Sequence, residues 1–358
     1  MPYISPGFLD LQLNGFAGLD LNGEALSQES LVVMIRALWA TGTALFLPTL
    51  VSAPFERLQG ALKALADFVE AAPHLDLQSR LAAASIAGIH LEGPYISPED
   101  GPRGAHVAAF VRPPDWDEFC RLQEAASGKI RLITLAPEWP GAIDFIERAV
   151  ASGVTVAIGH TGADGHQIRA AVAAGARLST HLGNGAHAQL PRHPNYLWEQ
   201  LAADDLYATF IPDGFHLPPS VLKSFVRAKG VHRSILITDA VAAAGEAPGI
   251  RTLMGREVEL TPQGKVQLLG TPYLAGSALR LDLAVANAMR MADLPLADAI
   301  RMVTETPAAV AALTSRTGRL CSGMEANLTL FRLGEDAAVE VLATVVKGQV
   351  VYTAGDFA

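Results

Sequence analysis

Short apolar runs alternate with amphipathic stretches along most of the chain. Each run ends in a polar or Gly/Pro-rich turn, which is typical of strands that are buried in a sheet. Eight such runs lie at 8–13, 43–49, 85–92, 130–138, 154–160, 176–181, 206–213 and 234–240. Helical periodicity fills the intervals, as in 30–42, 55–72 and 141–153. Eight strands that alternate with helices predict an α/β fold, a (β/α)8 TIM barrel, and a mixed α/β sheet is the alternative.

The alternation of short apolar runs and amphipathic stretches ends after the eighth run. Residues 256–270 alternate between apolar and polar positions and turn at Gly264, which predicts a hairpin excursion from the barrel. A helical period then extends to about residue 313, and 314–358 contains short strands separated by turns. We therefore predict a barrel over 6–313 and a small β subdomain over 314–358. Because little chain precedes the first run, this reduced β-layer is expected to come mainly from the C-terminus.

Composition narrows the class of protein. The chain has 358 residues, of which 50% are hydrophobic and 18% charged, and its formal charge is −9. A nucleic-acid partner requires a basic face, so this charge argues against one. Two cysteines, Cys120 and Cys321, cannot form a disulfide framework and fit a reducing compartment. No apolar run has the length of a membrane span, and the first residues do not resemble a signal peptide. We expect a soluble cytoplasmic protein.

Polar side chains that can bind a metal collect where the apolar runs end, and in a barrel the ends of the strands surround one opening. They are Gln12 and Asn14, His90 and Glu92, His160, His181, His216 and Asp239. Each has an ordinary explanation by itself, such as a core histidine or a helix N-cap. A carboxylate beside an apolar run is costly, however, unless it is paired or bound to a metal. Two imidazoles and one carboxylate with a free position form a hydrolytic zinc-type site, so Glu92, His160 and His181 are predicted to share a cation.

Six motifs resemble those of a known family in order and spacing. They are HLEGPYIS, GHTGAD, THLGNG, DGFH, ITDA and LAGSAL. The chain resembles the N-acetylglucosamine-6-phosphate deacetylases of the amidohydrolase superfamily over roughly residues 6–332.

The resemblance implies roles for individual residues. Glu92, His160 and His181 match the metal ligands, and Asp239 matches the residue that acts as general base and then as general acid. The positions that match substrate-binding residues are His106, Asn184, Gly185, Arg192, His216, Leu274, Ala275 and Gly276. Arg192 lies at the spacing of an arginine that binds phosphate and often reaches a neighbouring subunit, which implies a homodimer.

Two features depart from the pattern. Many amidohydrolases carry an H-x-H pair at the end of the first strand, where this chain has Gln12 and Asn14. Amides are poor ligands for zinc-type metals, so we predict one divalent ion per chain and a vestigial second-metal position. Zinc fits the ligands best, and iron, manganese or cobalt could substitute. Gly183 and Gly185 stand where the deacetylase pattern usually has a Tyr and an Ala, and that leaves the sugar and its phosphate open.

The leading hypothesis is metal-dependent hydrolysis of the acetyl group from a small-molecule amino sugar, with N-acetylglucosamine 6-phosphate as the first candidate. Asp239 would move the proton, and His106 would help to stabilise the developing oxyanion. Another N-acyl or cyclic amide substrate is the first alternative, because it needs the same metal site. A non-catalytic sugar-binding barrel is the second.

Overall fold

The computed structural model describes residues 1–23, 26–253, 255–271 and 273–355. Its strands, in chain order, are β1 (Pro2–Pro6), β2 (Phe8–Leu13), β3 (Gly15–Phe16), β4 (Leu19–Asp20), β5 (Thr43–Val51), β6 (Ile89–Glu92), β7 (Ile130–Leu135), β8 (Thr155–Ile158), β9 (Leu178–Ser179), β10 (Tyr207–Phe210), β11 (Ser234–Leu236), β12 (Gly249–Leu253), β13 (Arg256–Leu260), β14 (Val266–Leu268), β15 (Leu328–Leu333), β16 (Val339–Val346) and β17 (Gln349–Thr353). Its α-helices are α1 (Gln28–Trp39), α2 (Phe55–Ala71), α3 (Leu77–Ser85), α4 (Trp116–Ala125), α5 (Ala142–Ala151), α6 (Gly165–Ala173), α7 (Tyr196–Ala202), α8 (Pro219–Lys229), α9 (Leu281–Ala292), α10 (Leu296–Arg301) and α11 (Glu305–Val310).

Eight parallel strands form the barrel, as the alternation predicts. Their order is β2-β5-β6-β7-β8-β9-β10-β11, and every neighbouring pair is parallel. A parallel bridge between Leu13 and Ala240 joins the two ends of this order. The backbone N–H of Asp239 also donates to the carbonyl of Gln12 at 3.0 Å. The first and last strand ends therefore lie side by side.

The barrel strands are apolar on both faces because the interior packs on one face and the helices on the other. All six residues of β2 are buried, and so are the first eight residues of β5. The helices cover the outside with one face each. In α1, which starts at the capping box of Ser27, the buried positions include Leu31, Ile35 and Leu38, spaced by about one turn.

Two antiparallel sheets flank the barrel. One has the order β1-β15-β16-β17, so three of its strands come from the C-terminal region and one from Pro2–Pro6. The predicted subdomain 314–358 supplies β15 to β17, while its last three residues, 356–358, lie outside the described residues. The other sheet is β12-β13-β14, in which the predicted hairpin turns at Gly264 with φ +85°. β12 is an additional strand that the sequence pattern did not predict.

Among the residues that the structure describes, no helix has both the length and the apolar character to span a bilayer.

Candidate active site

The ends of the barrel strands open into a cavity of about 250 Å³. TIM-barrel enzymes hold their active sites at this end of the barrel. The ionisable side chains that line the cavity are Asp20, Glu92, His106, His160, His181, His216, Asp239 and Arg256. Residues spread over most of the chain therefore face one enclosed space.

Glu92, His160 and His181 converge at one point of this cavity. Nε2 of His181 lies 2.9 Å from Oε1 of Glu92, and Nε2 of His160 lies 3.2 Å from the same oxygen. The two Nε2 atoms are 3.0 Å apart. Ligands around a tetrahedral zinc with bonds of ~2.1 Å are separated by roughly 3.4 Å, so this donor set is only slightly tighter than a metal site. The three side chains fit a divalent ion.

The surroundings of His160 orient it as a ligand. Its Nδ1 lies 2.8 Å from the carbonyl oxygen of Pro102, which can only accept a hydrogen bond, so Nδ1 carries the proton. The other ring nitrogen, Nε2, faces Glu92 and can bind a metal once it has lost its proton. This arrangement, with a carbonyl behind the ligating ring, is typical of metal-binding histidines.

The backbone is strained at three of these positions. His160, His181 and Asp239 have φ values of +50°, +29° and +50°. Residues other than glycine rarely adopt this region, and such outliers cluster at functional sites because the surrounding structure must hold them there. The strain places each side chain at the end of its strand, directed into the cavity.

His106 is a fourth group near the same point. Ligand atoms of Glu92, His106 and His160 all lie within 4.8 Å of one another, and Nε2 of His106 is 3.9 Å from Oε2 of Glu92. The backbone N–H of Ser52 donates to Nδ1 of His106 at 3.4 Å, which places the proton of this ring on Nε2. Burial lowers the pKa of His106 to about 3, so the ring is neutral. His106 therefore presents an N–H donor, whereas His181 lies closer to Glu92, with its Nε2 at 2.9 Å from Oε1.

Glu92 is ionised although it is buried. Burial favours its neutral form, but hydrogen bonds and charge from His160 and His181 outweigh burial and hold the pKa of Glu92 well below its usual value. Burial would likewise lower the pKa of His181, but the hydrogen bond to Glu92 and its charge raise it. Nδ1 of His181 is buried without a hydrogen-bond partner among the described residues. The carboxylate is thus ionised and available to a cation.

Gln12 bridges the Glu92 and Asp239 carboxylates, and Asn14 contacts Asp239 alone. Nε2 of Gln12 donates to Oε1 of Glu92 at 2.8 Å and to Oδ1 of Asp239 at 3.1 Å. Nδ2 of Asn14 donates to the same Asp239 oxygen at 2.6 Å. The two amide side chains therefore hold Asp239 in place and connect it to Glu92.

Asp239 is partly buried in this network, and its pKa is raised to about 6. Burial is the main cause and the charge of Glu92 adds to it, while His181, His216 and Asn14 act in the opposite direction. A carboxyl group with a pKa near neutrality can both accept and return a proton.

A second buried carboxyl group, which sequence reasoning missed, lies beneath the site. Oδ1 of Asp10 accepts from the backbone N–H of Gln12 at 3.2 Å and of Thr238 at 3.3 Å, and Oδ2 accepts from the Thr238 hydroxyl at 2.5 Å. Asp10 therefore connects the first and last strands next to Gln12 and Asp239. Burial raises its pKa to about 7. The sequence did not identify Asp10 as a site residue, because a single Asp in the buried run FLDLQL belongs to no recognisable motif.

Most predicted substrate contacts line the cavity. They are His106, Asn184, Gly185, His216, Leu274, Ala275 and Gly276. Nδ1 of His216 lies 2.6 Å from Oδ2 of Asp213, so Nδ1 carries a proton and Nε2 is left to face the cavity. Arg192 is exposed and does not belong to the lining. Its role stays a prediction that requires a neighbouring subunit.

His90 is a structural residue rather than part of the cavity lining. Its Nε2 lies 2.8 Å from the Thr134 hydroxyl and its Nδ1 lies 3.2 Å from the carbonyl of Leu11. The contacts connect β6 to its neighbour β7 and, across the barrel interior, to β2, and the ring is buried.

Several lining residues had no marker in the sequence. They are Asp20, Asn22, Val51, Ser52, Leu253, Arg256, Val258 and Leu268. The last four belong to the β12-β13-β14 sheet, which the alternation predicted as a hairpin without indicating which way it folds.

Comparison with known proteins gives consistent matches over almost the whole chain. The profile of the amidohydrolase family matches residues 3–351. The N-acetylglucosamine-6-phosphate deacetylase of Bacillus subtilis is 30% identical over 347 residues, which cover 97% of this chain and 84% of the relative. The N-acetylgalactosamine-6-phosphate deacetylase of Shewanella sp. is 33% identical over 349 residues, with 97% and 83% covered. A solved structure of a substituted N-acetyl-D-glucosamine-6-phosphate deacetylase from Mycobacterium smegmatis, in complex with N-acetyl-D-glucosamine-6-phosphate, has a TM-score of 0.87 at 30% identity and covers 98% of this chain and 87% of its own.

Proposed function

Because the chain belongs to the amidohydrolase family, we propose that it is a metal-dependent deacetylase that removes the acetyl group from N-acetylglucosamine 6-phosphate. The products are acetate and the free amine. The observation that carries the proposal is the convergence of Glu92, His160 and His181 beside Asp239, in the cavity at the ends of the barrel strands.

We propose that Glu92, His160 and His181 hold one divalent ion. When bound, such an ion acts as a Lewis acid and makes water a stronger nucleophile at neutral pH. Zinc matches this nitrogen and oxygen donor set, and iron, manganese or cobalt could take the same ligands. The amides of Gln12 and Asn14 are poor ligands for zinc-type metals, which supports one ion rather than two.

Asp239 would transfer the proton from the water to the leaving amine. Its carboxylate accepts a proton from the attacking water, and the carboxylic acid then returns that proton to the departing amine. A pKa of about 6 suits both steps, because the two protonation states have similar free energies near neutral pH. The Asn14 and Gln12 amides fix one oxygen of Asp239 and leave the other for the transfer.

His106 and His216 would position the substrate. The Nε2–H of the neutral His106 ring is suited to the carbonyl oxygen of the acetamide, where negative charge develops during attack. Asp213 fixes the ring of His216, so that this side chain presents a defined nitrogen to the sugar. Asn184 and the backbone at Leu274–Gly276 complete the wall of the same cavity.

We further propose that the enzyme works in the cytoplasm as a homodimer. Two exposed free cysteines, Cys120 and Cys321, support a reducing compartment. An exposed Arg192 outside the cavity of its own chain supports a contact with the cavity of a second subunit. Light scattering or analytical ultracentrifugation tests the dimer, and a monomer at micromolar concentration would remove this role of Arg192.

A substrate panel tests the function. The panel contains N-acetylglucosamine 6-phosphate, N-acetylgalactosamine 6-phosphate, N-acetylglucosamine and N-acetyl amino acids, because the relatives include enzymes named for both sugar phosphates. We expect release of acetate from a sugar phosphate with kcat/KM well above that for the other compounds. Turnover of N-acetyl amino acids without turnover of any sugar would replace the proposal by the other amidohydrolase reaction. Absence of turnover in the metal-loaded protein would favour a binding protein.

A further inference from the structure

The sheet β12-β13-β14 brings one cationic side chain to the mouth of the active site. Arg256 begins β13 and pairs with Leu253 at the end of β12. Together with Val258 and Leu268, these residues line the same cavity as the candidate metal ligands. The sheet therefore contributes to the site although it lies outside the barrel.

The alternation of β13 explains why Arg256 faces inward. Side chains two residues apart in a strand share a face, so Arg256, Val258 and Leu260 project together. Val258 is 1% exposed and Leu260 is 4% exposed, and both pack in one apolar cluster with Val241, the second residue after Asp239. Packing of the strand thus fixes the direction in which Arg256 points.

Arg256 also has no partner in the part of the chain that the structure describes. The other arginine of this sheet, Arg251, forms an ion pair with Glu246 at 3.3 Å and donates to the carbonyl of Ala247 at 2.5 Å. No side-chain hydrogen bond or ion pair among the described residues involves Arg256, and the residue is exposed to solvent where it lines the cavity. Its guanidinium is available to a ligand.

The charges of the side chains that line the cavity indicate which kind of ligand would bind Arg256. Asp20, Glu92 and Asp239 contribute three carboxyl groups, and Arg256 is the sole arginine or lysine among the described lining residues. A sugar phosphate that enters such a cavity meets repulsion from the carboxylates unless a cation faces its phosphate.

We propose that Arg256 binds the 6-phosphate of the substrate and selects for phosphorylated sugars. The planar guanidinium can donate two parallel hydrogen bonds to phosphate oxygens, and a lysine cannot reproduce that fork. This inference rests on the proposed deacetylase function. It places phosphate recognition within a single chain, on a sheet outside the barrel, and adds to whatever Arg192 contributes from a second subunit.

The test compares Arg256→Gln, Arg256→Lys and Arg192→Gln with the wild type. The quantity measured is the ratio of kcat/KM for N-acetylglucosamine 6-phosphate to kcat/KM for N-acetylglucosamine. Loss of a charged hydrogen-bonding partner in Arg256→Gln should lower this ratio by about 10- to 100-fold, mainly through KM. Arg256→Lys should recover part of the loss, since it keeps the charge but not the fork.

Glu257→Gln is the matched control. Glu257 is the next residue of the same strand, is exposed, and projects from the opposite face. Glu257→Gln should leave the ratio of the two kcat/KM values within about twofold of the wild type. That result would show that a general disturbance of the sheet does not cause the loss in Arg256→Gln.

Binding provides a second measurement that needs no turnover. In the metal-loaded Asp239→Asn protein, calorimetry with N-acetylglucosamine 6-phosphate should give a Kd about 10- to 100-fold higher when Arg256→Gln is added. An unchanged ratio and an unchanged Kd in Arg256→Gln would overturn the inference while the deacetylase function stands. A ratio that collapses only in Arg192→Gln would assign the phosphate to the second subunit. Failure of the function itself is recognised separately, because the wild type would then cleave neither sugar.

Discussion

Gly185→Ala introduces the residue that the deacetylase pattern usually carries at this position, but in the geometry of this chain it should weaken metal binding through the ring of His160. Gly185 lies in the loop after His181 and has φ +56°. A Cβ added there would lie 2.7 Å from Nδ1 of His160 and 2.9 Å from its Cε1. Both distances are far below ordinary contact, so either the ring or the loop must shift.

The ring has little freedom to move. Its Nδ1–H donates to the Pro102 carbonyl at 2.8 Å, and a Cβ at Gly104 on another side would lie only 3.1 Å from Cε1. In this chain the ring of His160 therefore lies between two glycines, Gly185 and Gly104, and packs closely against both. Displacing the ring breaks the hydrogen bond that orients Nε2, and loss of such a supporting contact typically lowers metal affinity by about 10- to 100-fold.

Gly153→Ala supplies the matched control. Gly153 follows α5 with φ +86°, and nothing lies within 4 Å of an added Cβ. Both substitutions therefore share the backbone penalty of an alanine in the left-handed region, about 1 kcal/mol, while only Gly185→Ala adds the clash.

The assay is competition for zinc against a chromophoric chelator, together with denaturant unfolding of the metal-free proteins. We expect Gly185→Ala to raise the Kd for zinc at least about tenfold over Gly153→Ala, while both lose about 1 kcal/mol or more of unfolding free energy. If the two variants bound zinc equally well, the conclusion that His160 is a ligand held by its neighbours would be wrong.

Three further predictions concern the chemistry and the buried charges. Asp239→Asn should abolish acetate release while metal analysis still finds the ion, and full turnover by this variant would refute its role in proton transfer. The metal-loaded wild type should contain one equivalent of divalent ion per chain, and removing it with a chelator should lower both activity and Tm; two tightly bound equivalents would contradict the proposal of a single metal ion. The pKa of Asp10 is raised to about 7 in the folded state, so the folded protein binds its proton more tightly than the unfolded chain. The resulting stability, up to about 4 kcal/mol, is complete below pH ~4 and is lost as the pH rises to ~7. Asp10→Asn should flatten the unfolding free energy in that window, and a slope identical to that of the wild type would show that Asp10 is not the group responsible.

The sequence predicted the barrel because its signature is local. Each apolar run and each amphipathic stretch can be recognised without its neighbours, and all eight runs contain a strand. The last five barrel strands end before the predicted runs do, as in β9 (Leu178–Ser179) against the predicted 176–181. The physical reason is the backbone of the site residues, since a residue such as His181 with φ +29° has left strand geometry.

Contacts between distant segments could not be predicted in the same way. Arg256 reaches the cavity only because Val258 packs with Val241, and nothing in the local alternation shows that pairing. Asp10 likewise connects the first and last barrel strands through its hydrogen bond with Thr238, a residue more than 220 positions away. The resemblance to the deacetylases supplied roles for residues at matching motifs, but it carried no information about positions that lie outside those motifs.

The pairing of β1 with β15 has a consequence for how the molecule assembles. Hydroxyl Oγ of Ser5 contacts the carbonyl of Thr329 across 324 positions, and the Tyr3 ring stacks on Phe331 with centroids 5.5 Å apart. During synthesis Pro2–Pro6 leaves the ribosome long before β15 is made, so β1 can pair with β15 only after nearly all of the barrel has been synthesised. Closing so long a loop is slow, and until it closes the edge of β15 offers unpaired backbone groups to other molecules. A truncation that removes Pro2–Pro6 would make that transient edge permanent, and the expected result is self-association rather than loss of the barrel.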